Sequence, residues 1–299
     1  MVPGEGCRST TRNGAWSSEA LACAWSEAAL PPRATAARPL GARVLGQPSA
    51  PHTVVLIGGI AQIAASWTAV AHMLHEATGA RVVLPDNPGI AQSRNVPVPR
   101  DCSGHARLHA ETLASLGIDG PVHVVGLSLG SMIAAELAAQ LGSRARSLTL
   151  CAGSSRESGW FRLAPAALLR MTCRALVGKS GLQGRLPELV QPSVLRAMPD
   201  LVTLMHTLRR QEGGFARGAL VRQLLAASRF RLVPLIPKLP ALRMVVVGTG
   251  DLLVSPVHSR RMAAMLACPL HELEGHGHYL ALDGAEKLAA VLQRLVQVE

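Results

Sequence analysis

The chain has 299 residues, 48% of them apolar, with 30 Lys and Arg against 19 Asp and Glu and a formal charge of +11. This is a globular composition, long enough for one large domain or two small ones around a sizeable core. No apolar run approaches the roughly 20 residues of a membrane helix, and no N-terminal stretch has signal-peptide form, so a soluble, cytoplasmic chain is expected. The six cysteines, Cys7, Cys23, Cys102, Cys151, Cys173 and Cys268, include no C-x-x-C pair. Neither a zinc site nor a disulfide framework is indicated, and no metal or cofactor is expected.

The charge is concentrated. From Ser154 to Pro240 stand twelve arginines and two lysines against Glu157, Glu188, Asp200 and Glu212, a balance of +10. Sparse aromatics and the lack of a helix-turn-helix, zinc-finger or RNP pattern speak against nucleic acid as the partner.

Residues 1–37 mix Ser, Thr, Gly, Pro, Arg and Ala without a period and predict a flexible extension. Leu40–Leu45 predicts a short strand and Thr53–Ile57 a firmer one, running into Gly58-Gly59-Ile60-Ala61-Gln62. A helix is expected over Ser66–Thr78, a strand over Val82–Leu84, then the turn Pro85-Asp86-Asn87-Pro88-Gly89 and a helix over Asp101–Leu116.

Pro121–Gln140 then packs three elements together. Val122, Val124 and Val125 form a buried-strand run, and Ser131–Gln140 is dense in helix formers. Ser128, framed by Gly126 and Gly130, falls on the tight turn between them. There, two missing side chains let strand and helix backbones approach, and an unusual φ/ψ lifts the serine oxygen clear of the sheet edge.

Ser147–Cys151 predicts another strand. Helical patterns rich in Leu, Met and Arg then fill Phe161–Val177, Glu188–Met198, Leu201–Arg210 and Ala216–Phe230, with no strand pattern. Strands return at Leu242–Val247 and Leu270–Leu273, with helices over His258–Leu266 and Gly284–Val296. Such βα alternation, interrupted by one helical block, implies a mostly parallel sheet covered on both faces. The expected division is a core of 38–153 and 241–299 with a helical cap of 154–240.

Four motifs in this order resemble the α/β-hydrolase fold. Gly126-Leu127-Ser128-Leu129-Gly130 resembles its nucleophile elbow, and Asp86 to Ser93 its D-x-P-G-x-G-x-S turn, with Ala91 where glycine is common. Gly248-Thr249-Gly250-Asp251 looks like its acid loop and Glu274-Gly275-His276-Gly277-His278 its histidine turn. The resemblance implies Ser128 as nucleophile, His278 as base and Asp251 as the acid that orients it, with His276 and Glu157 as rivals. It also implies an oxyanion site from the backbone N–H groups of Ile60 and Leu129. One departure is Gly58-Gly59 where relatives usually have His-Gly. The backbone donor is retained, but the bonds of a bracing histidine are lost.

These residues predict a serine hydrolase acting on an ester, thioester or lactone through an acyl-enzyme. The same triad would serve an acyltransferase, a cofactor-free haloperoxidase or a carbon–carbon hydrolase, and the scaffold also suits a catalytically silent binding protein. The expected partner is a small acyl substrate. The basic, Leu- and Met-rich insertion adds the expectation of an adaptable apolar acyl pocket and of an anionic or carrier-bound substrate.

Overall fold

The computed structural model describes residues 40–159, 162–176, 188–197 and 201–298. The extension expected over residues 1–37, Met198 and the side chain of Met171 lie outside the described residues.

The elements alternate as expected. In chain order they are β1 (Ala42–Leu45), β2 (Thr53–Ile57), α1 (Thr68–Thr78), β3 (Arg81–Pro85), α2 (Cys102–Ser115), β4 (Val122–Leu127), α3 (Leu129–Leu141) and β5 (Ala145–Cys151). The segment that follows carries α4 (Pro165–Leu176), α5 (Pro192–Ala197), α6 (Leu201–Gln211) and α7 (Ala219–Arg229). The chain then returns to β6 (Arg243–Gly248), α8 (Pro256–Leu266), β7 (Leu270–Leu273), the short α9 (Leu280–Asp283) and α10 (Ala285–Gln297).

The strands form one sheet in the order β1-β3-β2-β4-β5-β6-β7, parallel except for β1 against β3. Each central strand is apolar on both faces because helices cover both. Val54, Leu56, Val82, Val125 and Val246 pack with α1 and α10, whereas Val55, Ile57, Val83, Val124, Leu148 and Val245 pack with α2, α3 and α8. Parallel strands bring their C-terminal ends to one edge, and the loops leaving that edge hold Gly59, Ser128, Asp251 and the turn before α9.

Among its described residues the inserted segment carries helices and, outside them, an antiparallel bridge from Phe215 to Ile90, which the helical pattern of the sequence did not reveal. Around it Ala91 N–H donates to Gly214 O at 2.8 Å and Ala216 N–H to Gly89 O at 2.9 Å, which fixes the start of α7 against the turn after β3. Ala91 itself has φ +46, the left-handed geometry that explains why glycine suits this position. Arg43 of β1 forms a mostly buried ion pair with Glu212, a further tie between sheet and insertion. Met205 is buried within the core cluster of α1, α10 and β6, so this methionine serves packing.

Candidate active site

The strand β4 passes into α3 through one residue, Ser128, whose φ of 57° and ψ of −118° are strained for any side chain. The frame that holds it is backbone. A Cβ on Gly126 would stand 2.0 Å from Gly130 O, and one on Gly130 would stand 2.2 Å from Ile57 O, so neither position tolerates a side chain. Ser128 N–H donates to Cys151 O at 2.8 Å, and Ser128 O accepts from Ser131 N–H at 3.0 Å and Ser131 Oγ at 2.6 Å. The helix starts at Leu129, two residues before the apolar period suggested, because the turn has no spare residue between strand and helix.

His278 enters from the turn between β7 and α9. Its Nδ1–H donates to Asp251 Oδ2 at 2.7 Å, and both side chains are buried. Asp251 Oδ1 in turn accepts from Leu253 N–H at 2.9 Å and Val254 N–H at 2.8 Å, so both carboxylate oxygens are bonded and its rotamer is fixed. The rivals lie elsewhere. His276 Nδ1–H donates to Asp283 O at 2.9 Å. Glu157 accepts from Arg231 Nε at 3.0 Å and Leu232 N–H at 3.1 Å, joining the two ends of the insertion. Burial alone would raise the Glu157 carboxyl, yet the bonds from backbone N–H groups, Arg231 and Ser155 together hold it below its ordinary pKa.

Ser128, His278 and Ile60 share one cavity of about 220 Å³. Its remaining wall is mostly leucine, with Leu163, Leu168, Leu189, Leu220 and Leu224 from the inserted segment and Leu253 and Tyr279 from the core loops. Among the described residues that line it there is no lysine or arginine. Leu129 N–H, at the first position of α3, has no intrahelical acceptor, and neither it nor Ile60 N–H has a partner among the described residues. Two unpaired N–H groups beside a serine, at the positive end of a helix, suit an oxygen that gains negative charge.

The loop that carries Ile60 is braced although the histidine of relatives is missing. Gly59 N–H donates to Gln62 Oε1 at 2.6 Å, while Gln62 Nε2 donates to Ser66 Oγ at 2.9 Å. From the next turn Asn87 Nδ2 donates to Gly58 O at 2.8 Å, with Asn87 Oδ1 held by His109 Nε2 at 2.9 Å. From the insertion, Gln223 Oε1 accepts from Ala61 N–H at 3.0 Å. The bonds of the bracing histidine are absent, as the sequence implies, and buried amides hold the loop in their place. Sequence reasoning missed Gln62, Asn87 and Gln223. Gln223 follows Arg222 on a helical pattern and carries no signal in the sequence that separates it from a solvated position.

Among the described residues no group of three or more His, Cys, Asp or Glu could hold a metal ion, and no helix is long and apolar enough to cross a membrane.

A family profile described as the alpha/beta hydrolase family matches residues 54–291. Among curated proteins, one from Azorhizobium caulinodans named "Putative carbamate hydrolase RutD" is 37% identical over 89 residues. That match spans 29% of this chain and only 33% of the relative. Among solved structures, a thermophilic esterase from Thermogutta terrifontis superposes with TM-score 0.69 at 22% identity, covering 86% of this chain and 94% of the other. An enol-lactonase from Burkholderia xenovorans gives TM-score 0.69 at 19% identity, covering 86% and 95%. At such identities these structures establish a shared fold. The profile match extends from β2 into α10, and on that match the chain belongs to the alpha/beta hydrolase family.

Proposed function

We propose that the protein is a serine hydrolase that cleaves a carboxylic ester, thioester or lactone through an acyl-enzyme. The observation that carries this reading is the convergence, in one leucine-lined cavity, of a strained serine, an Asp251-bonded histidine and an unpaired Ile60 N–H. His278 Nε2 takes the Ser128 proton as the serine oxygen bonds to the carbonyl carbon, and the Asp251 carboxylate stabilises the resulting imidazolium. The carbonyl oxygen becomes an oxyanion held by the N–H groups of Ile60 and Leu129. The imidazolium then returns its proton to the leaving alkoxide, thiolate or lactone oxygen as that bond breaks. Water, deprotonated by His278, attacks the acyl-enzyme by the same route and restores Ser128.

The inserted segment 154–240 acts as the cap of this site. Five of its leucines line the cavity as an apolar wall, which favours an uncharged acyl chain over an acidic one. The segment's positive charge offers a separate role, attraction of an anionic leaving group such as a phosphate-bearing carrier. The test is a panel of esters, thioesters and lactones of graded acyl length, run on wild type and Ser128→Ala. Ser128-dependent turnover is expected, and its absence throughout would leave the scaffold as a binding protein. Faster acyl transfer to an added alcohol than to water would make it a transferase. A CoA thioester should lose more kcat/KM with added salt than a neutral ester of the same acyl group, and equal loss would remove the carrier role.

A further inference from the structure

The geometry points to Gln223 as a positioning residue that couples filling of the acyl pocket to the oxyanion site. This rests on the serine-hydrolase reading above and goes beyond it, because it assigns a kinetic role to a residue outside the triad and the oxyanion donors.

Three observations converge on this side chain. Gln223 is fully buried at the junction of α7 and the core, where its Oε1 accepts from Ala61 N–H at 3.0 Å and its Nε2 approaches Pro88 O at 3.4 Å. Ala61 has φ +55, a left-handed conformation that a residue with a Cβ holds only under constraint. Finally, Leu220 and Leu224, three residues before and one after Gln223 on α7, line the cavity that contains Ser128 and Ile60. Val221 and Arg222 lie on the exposed side of the same helix.

Ile60 N–H lies between two constrained peptides. Gln62 of the core loop holds Gly59 N–H on one side, and Gln223 holds Ala61 N–H on the other. The first brace is local, with a partner three residues away. The second comes from a residue 162 positions later, on a helix whose neighbouring side chains form the pocket wall. An acyl chain packed against Leu220 and Leu224 seats α7, and α7 in turn seats Gln223 on Ala61. A chain too short to reach these leucines leaves that brace unsupported. The left-handed turn then has one anchor fewer, and Ile60 N–H is held less closely against the developing oxyanion. Energy from the remote part of the substrate is therefore expressed at the reacting carbon, so chain length should act on kcat and not only on KM.

The experiment compares p-nitrophenyl acetate with p-nitrophenyl octanoate, which share a leaving group, on wild type, Gln223→Met, Gln223→Glu and Leu220→Ala, with Ser128→Ala as control. Wild type should turn over octanoate with a kcat about tenfold above acetate. Gln223→Met, similar in length but lacking an amide oxygen, should lower the octanoate kcat about tenfold and the acetate kcat less, with KM within about threefold, a modest share of the 10²–10³ lost when an oxyanion donor itself is removed. Gln223→Glu, which keeps an acceptor oxygen, should restore most of that kcat. Leu220→Ala should collapse the octanoate-to-acetate kcat ratio and serves as the deciding variant if Gln223→Met does not fold. A folded Gln223→Met with wild-type kcat for octanoate, or with equal losses for both esters, would overturn the coupling. So would a Leu220→Ala effect confined to KM. Turnover that survives in Ser128→Ala would instead defeat the serine-hydrolase reading, so the two failures are distinguishable.

Discussion

The serine turn and the loop after β2 meet at one cavity, yet they are held in different ways. The turn around Ser128 is fixed by backbone packed on backbone, Gly126 against Gly130 within the turn and Gly130 against Ile57 of the neighbouring strand, where a Cβ would fall 2.0 Å and 2.2 Å from carbonyl oxygens. The loop around Ile60 is fixed by side chains that arrive from elsewhere, with Asn87 and Gln223 lying 29 and 162 residues from the atoms they hold. A turn framed by its own glycines can be read from a few letters and tolerates no change. A loop held by distant amides leaves little trace in its own sequence and should fail by degrees.

The largest effect should come from the serine side. His278→Ala is expected to lower kcat by about 10⁴ while circular dichroism and melting remain near wild type, since one member of a cooperative unit is lost without disturbing packing. Asp251→Asn should be comparably severe and Glu157→Gln mild, because His278 bonds to Asp251 and Glu157 is occupied with Arg231 and Leu232. The reverse order in steady-state kinetics would show that the acid has been misassigned.

Next in size is the glycine frame. Gly130→Ala should destabilise the fold by more than about 4 kcal/mol, or prevent folding, because its methyl group meets the Ile57 carbonyl, which cannot move without breaking the sheet. Denaturant melts that place Gly130→Ala within about 1 kcal/mol of wild type would contradict the close approach.

A smaller loss is expected at the braced loop. Gln62→Leu removes the acceptor for Gly59 N–H but keeps the apolar stem in place. It should reduce kcat about tenfold with KM nearly unchanged, well short of the 10²–10³ that follows loss of an oxyanion donor itself. A loss as deep as that of His278→Ala would mean that the loop has no other support, against the bonds from Asn87 and Gln223.

The pH dependence of stability should be the mildest effect and has opposing contributions. Burial lowers His105 and His123 to about 4 and His109 to about 3, so each is neutral in the native state. The unfolded chain binds protons at these sites from about pH 6.5 downward, and their stabilisation is present above that value and lost as pH falls toward 4. Asp86 works in the other direction. Burial raises it to about 7, so its contribution is present at low pH and lost as pH rises through 7. Three histidines outweigh one carboxyl between pH 6.5 and 4, so the melting temperature should fall on acidification. His109→Gln, which keeps a donor for Asn87 Oδ1, should flatten that fall. A melting temperature that rises on acidification would show that Asp86 dominates.

The same contrast explains what was legible in the sequence. The seven strands, the elbow and the acid and histidine turns each announce themselves within a few residues, by β-branched runs, glycine frames and turn chemistry. Helix starts were less exact where a proline sets them. The pattern over Phe161–Val177 gives a helix from Pro165 and that over His258–Leu266 one from Pro256, each proline occupying the first helical position that suits its fixed φ. The Phe215 bridge, the Arg43 pair and the amide braces were not legible, since each joins residues whose neighbours carry no shared pattern. The leucine wall was only partly so. Its apolar character follows from the amphipathic helices, but which leucines face Ser128 depends on how those helices dock.

The central claim is that Ser128 is the nucleophile of an acyl-enzyme, and intact-mass spectrometry with a p-nitrophenyl alkylphosphonate tests it most directly. One phosphonyl group per chain, located on Ser128 by peptide mapping and formed in step with loss of esterase activity, is the expected result. It should be absent in Ser128→Ala and unaffected by chelator. Labelling at another residue, or full inactivation of the folded Ser128→Ala protein's residual turnover by the same reagent, would contradict it.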